Sequence, residues 1–203
     1  MQRVTCRFLT SSVIVLTLLG TSCSEQQAES RTRTLPEVHA KALTGEEVDV
    51  LADYDRPAHV FLFTKSDCPI SNRYAPEVNR LCEEYRGRGV RFTLVYPSTD
   101  DNVDTIRTHI RDYGYTCEAV IDHARRAVAL SGATVTPEAA VWAEGSGLVY
   151  RGRIDDLYVD FGKQRVEPSQ RDLREVLDAI LSGEIPPFRS TKAIGCYIEE
   201  TGK

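Results

Sequence analysis

Cys68 is the residue whose type and setting most invite chemistry. It stands in Phe61-Leu62-Phe63-Thr64-Lys65-Ser66-Asp67-Cys68-Pro69-Ile70-Ser71-Asn72-Arg73-Tyr74-Ala75-Pro76. An apolar, aromatic and β-branched run at 59–64 precedes it, and Ile70, Tyr74, Val78, Leu81 and Tyr85 recur after it at helical spacing. The pattern predicts a buried strand running into a helix, with Cys68 at the junction. A thiol there faces the unpaired N–H groups and positive dipole end of the helix, which favour the thiolate and so the nucleophile. Ser71 follows one turn later, where its hydroxyl either donates to that thiolate or simply occupies its place on the helix.

A second thiol is placed to act with it. Cys196 lies in Ala193-Ile194-Gly195-Cys196-Tyr197-Ile198, a stretch too apolar for a free end, reached through Ile185-Pro186-Pro187. That arrangement is a tether carrying a docked segment, and Cys196 is either a packed side chain or a thiol delivered to Cys68 to resolve a mixed disulfide. Cys82, beside Leu81 on the same helix as Cys68, reads as a packed thiol. Cys117, just ahead of a strand, is a half-buried core residue or a resolving thiol. His39, His59, His109 and His123 are scattered, pair with no cysteine in sequence, and read as surface or strand-edge residues. Neither Cys-x-x-Cys nor His-x-x-x-His occurs, so no metal and no cofactor is expected. Asp155, Asp156 and Asp160 lack the spacing of a calcium loop and read as solvated turn residues.

The remaining cysteines belong to the N-terminal leader. Arg3 and Arg7 precede the apolar run Val13-Ile14-Val15-Leu16-Thr17-Leu18-Leu19, too short to span a bilayer comfortably, so residues 1–22 read as a secretory signal containing Cys6. Leu19-Gly20-Thr21-Ser22-Cys23 resembles a bacterial lipobox, with Cys23 as the lipidated first residue of the mature chain; the alternative is ordinary signal cleavage with Cys23 a bystander. Either route implies an exported, periplasmic or extracytoplasmic protein, held to a membrane only through a lipid on Cys23. Loss of Arg3 and Arg7 takes the net charge from −5 to −7, which gives no attraction to anionic lipid. Twenty-five basic residues against 30 acidic, with no basic stripe among aromatics, exclude nucleic acid as a partner.

The elements that must position Cys68 follow in order. Residues 23–34 are polar and form a flexible linker. Residues 35–51 form two short extended pieces about a turn at Thr44-Gly45. After the Cys68 helix, ended by Gly87 and Gly89, comes a strand at 90–96. A helix at 103–113 follows, capped from Ser98, Thr99, Asp100 and Asp101. A strand at 119–122, a short helix at 125–130 and a hairpin about 144–147 come next, then a helix stopped by Gly183 and capped by Ser169. Such alternation, in a chain of 203 residues with 41% hydrophobic content, argues for one α/β domain at 35–183. Residues 184–203 form a C-terminal extension that folds back.

These residues carry a resemblance. The Cys68 to Pro76 spacing, and Val135-Thr136-Pro137 ahead of the later hairpin, resemble the thioredoxin-like superfamily. Asp67 to Pro76 together with Gly152-Arg153-Ile154-Asp155-Asp156 is similar to its exported redoxin branch, alkyl hydroperoxide reductase/thiol-specific antioxidant. The resemblance implies a central mixed sheet flanked by helices, an N-terminal β-hairpin, and a cis-proline at Pro137 that, with Thr136, faces Cys68. The second cysteine of a thioredoxin pair would fall at Ser71, so this is a one-cysteine variant of that motif. A peroxiredoxin Thr-x-x-Cys is not present, since Lys65 stands three residues before Cys68 and Thr64 four. A copper-assembly Cys-x-x-x-Cys would need a cysteine at Asn72.

The implied activity is thiol–disulfide exchange with protein or small-molecule thiols and disulfides, Cys68 attacking and a second thiol, Cys196 or an external one, releasing the product. Two alternatives stand beside it: a thiol peroxidase passing through a sulfenic acid, and a redoxin-fold binding partner whose Cys68 does no chemistry.

Overall fold

The computed structural model describes residues 37–52 and 56–199. The expected leader, Cys23 and the linker lie outside the described residues. The elements are β1 (His39–Ala42), β2 (Glu47–Asp49), β3 (Ala58–Phe63), α1 (Pro69–Arg86), β4 (Arg91–Tyr96), α2 (Val103–Tyr113), β5 (Glu118–Ile121), α3 (Arg126–Ser131), β6 (Val135–Thr136), β7 (Glu138–Ala143), β8 (Gly147–Gly152), β9 (Tyr158–Asp160), β10 (Lys163–Gln164), α4 (Asp172–Leu181), β11 (Arg189–Ser190) and β12 (Cys196–Tyr197).

Eight strands form one mixed sheet in the order β11-β8-β7-β3-β4-β5-β1-β2. β3 lies inside it, parallel to β4 and antiparallel to β7. Every residue of β3 is buried, as a strand covered on both faces requires. Alternation sends Val60 and Leu62 to the face covered by α1, α2 and α4. Phe61 and Phe63 go to the other face, with Trp142 and the Ala127 end of α3. β1 and β2 form the expected hairpin, turning at Gly45 with φ of 94°, where a side chain would be strained.

Several expectations are corrected. The cap of α2 is Asn102, whose Oδ1 accepts from the Thr105 N–H at 3.0 Å; Asp101 is buried instead and holds Ser66. α4 begins after Arg171, and Ser169 gives its N–H and hydroxyl to Asp156 at 2.6 and 2.5 Å. Asp155 and Asp156 form turns as expected of them but are buried rather than solvated. His59 and His109 are also buried, each satisfied by a side-chain hydrogen bond.

Cys82 and Cys117 are joined in a disulfide, with Cα atoms 6.2 Å apart. Neither the packed thiol nor the resolving thiol applies to them. The parallel β3-β4-β5 order lays the inner face of α1 beside the chain entering β5, which brings together residues 35 apart in sequence. Closing that loop restricts the unfolded chain and stabilises the fold by roughly 3–4 kcal/mol.

The segment beyond Gly183 belongs to the same body. β11 adds a parallel edge strand to β8. Thr191 then packs on Gly152, where a Cβ would lie 2.2 Å from Thr191 Oγ1, so only glycine admits the tail there.

Candidate functional site

α1 starts at Pro69, whose missing N–H costs nothing at the first helical position. Cys68 is therefore the N-cap, in extended conformation, with no side chain taking the cap hydrogen bonds. Its thiol is fully buried and donates to the Thr136 carbonyl at 3.1 Å. Thr136 ends β6, and its peptide bond to Pro137 is cis. β12 pairs antiparallel with β6, Cys196 opposite Thr136 and Tyr197 opposite Val135. The fold thus brings Cys68, Ser71, Thr136, Pro137 and Cys196 to one place, while Cys23 lies outside the described residues.

The two thiols differ in kind. Burial pushes the Cys68 thiol up, but hydrogen bonds from the Cys196 and Ser71 side chains and from the Ser71 and Cys196 N–H groups outweigh it, and its pKa falls below the ordinary thiol value. Cys196 is pushed up to about 12, by burial first and then by its hydrogen bond to Cys68 and the charge there. Of the two, Cys68 is accordingly the thiol that ionises more readily, and Cys196 the donor to its thiolate. Ser71 Oγ is buried with no hydrogen-bond partner of ordinary geometry, so a charged Cys68 sulfur is the acceptor its hydroxyl can serve.

A polar network fixes the loop ahead of Cys68. Asn72 Nδ2 donates to the Ser66 carbonyl at 3.0 Å, and His109 Nε2 meets Asn72 Oδ1 at 2.8 Å. The Tyr96 hydroxyl meets His109 Nδ1 at 2.9 Å. Burial lowers the His109 pKa, so the ring is neutral, with Nε2–H donating and Nδ1 accepting. Ser66 is also tied to Asp101, through its N–H at 3.3 Å and through its hydroxyl. Sequence reasoning missed Asn72, His109 and Asp101 as positioning residues; only the place of Asn72 one helical turn after Cys68 signalled any of them. It missed Gly195 as well, where a Cβ would sit 2.1 Å from the Thr136 oxygen.

A mixed sheet with a cysteine at a strand-to-helix junction, set against a cis-proline strand, defines a thioredoxin-like redoxin. The AhpC/TSA family model matches residues 32–154, and the chain belongs to that family. Comparison with curated proteins found no match. Among solved structures, a hypothetical protein from Sinorhizobium meliloti is 22% identical over 83% of this chain and 93% of its own, with a TM-score of 0.71. An uncharacterized conserved protein from Geobacillus kaustophilus is 23% identical over 85% and 93%, with a TM-score of 0.69. A thiol:disulfide interchange protein of the thioredoxin family from Chlorobium tepidum is 14% identical over 76% and 99%, with a TM-score of 0.55. At these identities the likeness is one of fold.

Proposed function

We propose that this protein is an exported thiol–disulfide oxidoreductase in which Cys68 attacks and Cys196 resolves. The observation that carries the reading is the placement of a cysteine-bearing strand on β6 with its thiol at the Cys68 sulfur. That geometry supplies the second thiol that resolves a mixed disulfide; it would resolve a sulfenic acid equally, and what favours exchange over a peroxidase is Lys65 in place of the threonine of Thr-x-x-Cys.

The Cys68 thiolate attacks one sulfur of a substrate disulfide. The substrate S–S bond breaks, the Cys68–substrate bond forms, and the departing sulfur leaves with the electron pair and takes a proton from water. Cys68 then carries no charge and accepts no hydrogen bond from Cys196, so two of the causes that raise the Cys196 pKa disappear and its thiol ionises more readily. Cys196 attacks the Cys68 sulfur, the Cys68–Cys196 disulfide forms, and the substrate is released as its second thiol. Two electrons pass from the pair of cysteines to the substrate.

Export is supported by the leader pattern and by the Cys82–Cys117 disulfide, which suits an oxidising compartment. A lipid on Cys23 would hold the domain to a membrane; among the described residues no helix is long and apolar enough to cross one. Disulfide mapping by mass spectrometry without reductant, with insulin-reduction and peroxide-consumption assays, tests the reading. A Cys68–Cys196 linkage with insulin reduction is expected; peroxide turnover without disulfide reduction would overturn it.

A further inference from the structure

Cys196 can attack only as a thiolate, and its surroundings oppose that charge. Once Cys68 is bound to substrate its own charge no longer counts, but the burial of Cys196 remains and so does the carboxylate of Asp67. One cation faces the same place. Lys65 stands in the loop between β3 and α1, where its carbonyl accepts the Cys68 N–H at 3.2 Å. Its side chain is only 18% exposed. With Thr136, Tyr197 and Ile198 it lines a small pocket, so it lies against β6 and β12, the two strands that hold Cys196 in register. Its Nζ is 3.4 Å from Asp67 Oδ1 and 3.5 Å from Asp100 Oδ2, and both carboxylates are turned to water. Burial works against the ammonium, but Asp67 and Asp100 outweigh it and keep the lysine charged. Glu199 lines the same pocket beyond β12, while β6 brings only the uncharged Val135 and Thr136.

We propose that the Lys65 ammonium serves the resolving half of the exchange: it offsets Asp67 and attracts the negative charge that Cys196 carries when it attacks Cys68. The inference rests on the exchange chemistry proposed for these two thiols. In that step the Cys196 thiol loses its proton to water, its sulfur bonds to the Cys68 sulfur, and the substrate sulfur leaves with the electrons of the broken bond. Lys65 neither gives nor takes a proton. It acts through Cys196 as a positioning residue, and its place on the tail side of the site separates its effect from the first attack by Cys68.

An aromatic disulfide, dithiobis(nitrobenzoate), separates the two halves. Full-length protein carrying Cys6→Ser and Cys23→Ser, with Cys68 and Cys196 reduced and the Cys82–Cys117 bond intact, is treated with it at about pH 5, where Cys68 attacks and releases one coloured thionitrobenzoate. After the reagent is removed, a jump to between about pH 6 and 10 lets Cys196 release the second. Loss of the ammonium should raise the Cys196 pKa by about one unit, leaving tenfold less thiolate near neutrality, of which the greater nucleophilicity of a more basic sulfur returns about threefold. Lys65→Gln and Lys65→Met should therefore slow the second release by about threefold near pH 7 and leave the first little changed. Lys65→Arg keeps the charge and should restore the second release, and Asp67→Asn should speed it. A second release unchanged in the neutral variants overturns the inference. So does slowing shared by Lys65→Arg or by Asp67→Asn, which would assign Lys65 to the shape of the loop, or equal slowing of the first release, which would assign its charge to Cys68. Absence of any second release from protein with Lys65 in place overturns the resolving role of Cys196, and this inference with it. Should Lys65→Gln not fold, Lys65→Met carries the comparison.

Discussion

Cys196 and Thr136 are register partners across β12 and β6, and the Thr136 carbonyl is also the acceptor of the Cys68 thiol at 3.1 Å. One residue of the sheet thus sets the position of both sulfurs. Cys68 reaches Thr136 from the start of α1 and Cys196 reaches it from the C-terminal tail, so the two thiols are aligned by backbone pairing and not by a short loop between two cysteines.

Replacing Cys68 tests its proposed role as nucleophile. Cys68→Ser should abolish insulin reduction and leave circular dichroism and the unfolding midpoint near those of the wild type, because serine is close in size but stays un-ionised at neutral pH. Disulfide-reductase activity persisting in this variant would remove Cys68 from the chemistry.

Cys196→Ser separates attack from release. Attack on a disulfide should continue, and the protein should accumulate as mixed disulfides at Cys68, visible by intact mass under non-reducing conditions. Turnover at the wild-type rate would assign the resolving thiol to another molecule.

Much of this was legible in the order of residues, and what was not has a common cause. The junction at Cys68 shows because strand and helix periodicities meet there, and the sheet-and-helix alternation shows because each segment is strongly patterned. The Cys82–Cys117 bond did not show, since Cys82 fits an apolar helical face equally well as a thiol or a half-cystine, and only the strand order brings Cys117 beneath it. His109 sits on α2 among ordinary polar residues, and its bond to Asn72 spans 37 residues. Gly195 carries no signal of its own within the apolar tail, because its tight contact is with the backbone of a strand some 60 positions earlier. Tertiary contacts decided all three.

The disulfide should be a matter of stability alone. Replacing both Cys82 and Cys117 by alanine should lower the unfolding free energy by roughly 3–4 kcal/mol in denaturant titrations. Disulfide exchange at Cys68 should persist below the new midpoint, since neither residue is among the groups that shift the Cys68 thiol. Loss of exchange in a variant still folded would show that the bond also positions α1.

His59 gives the fold a pH dependence. It is buried in β3, its Nε2 3.0 Å from Thr93 Oγ1. Burial first, and the charges of Arg91 and Arg56 after it, hold its pKa down from 6.5 to about 3. The folded-state value is the lower one, so its stabilising contribution is present above pH 6.5. As the pH falls below that value the unfolded chain takes up a proton that the folded chain refuses, and stability drops until the folded-state value is passed, by up to about 1.4 kcal/mol per pH unit. His59→Gln should flatten the slope of unfolding free energy against pH in that window. A slope unchanged from the wild type would place the ring's charge elsewhere than in the folding equilibrium.

The pH profile of Cys68 itself reads the hydrogen bonds at the site. Alkylation follows the thiolate, so its rate against pH should have a midpoint below the ordinary thiol value, because the donors from Cys196 and Ser71 outweigh the opposing effect of burial. Ser71→Ala removes one side-chain donor while keeping the backbone N–H at that position, and it leaves a buried site with less to hold a negative charge. The midpoint should therefore move upward, with the rate at the high-pH plateau little changed since access to the sulfur is the same. Stopped-flow alkylation with iodoacetamide between pH 5 and about 10 measures both quantities. A midpoint that stays in place would mean that the Ser71 hydroxyl turns away from the thiolate and only fills its position on α1; a midpoint that moves downward would mean that burial, not hydrogen bonding, is what the hydroxyl adds.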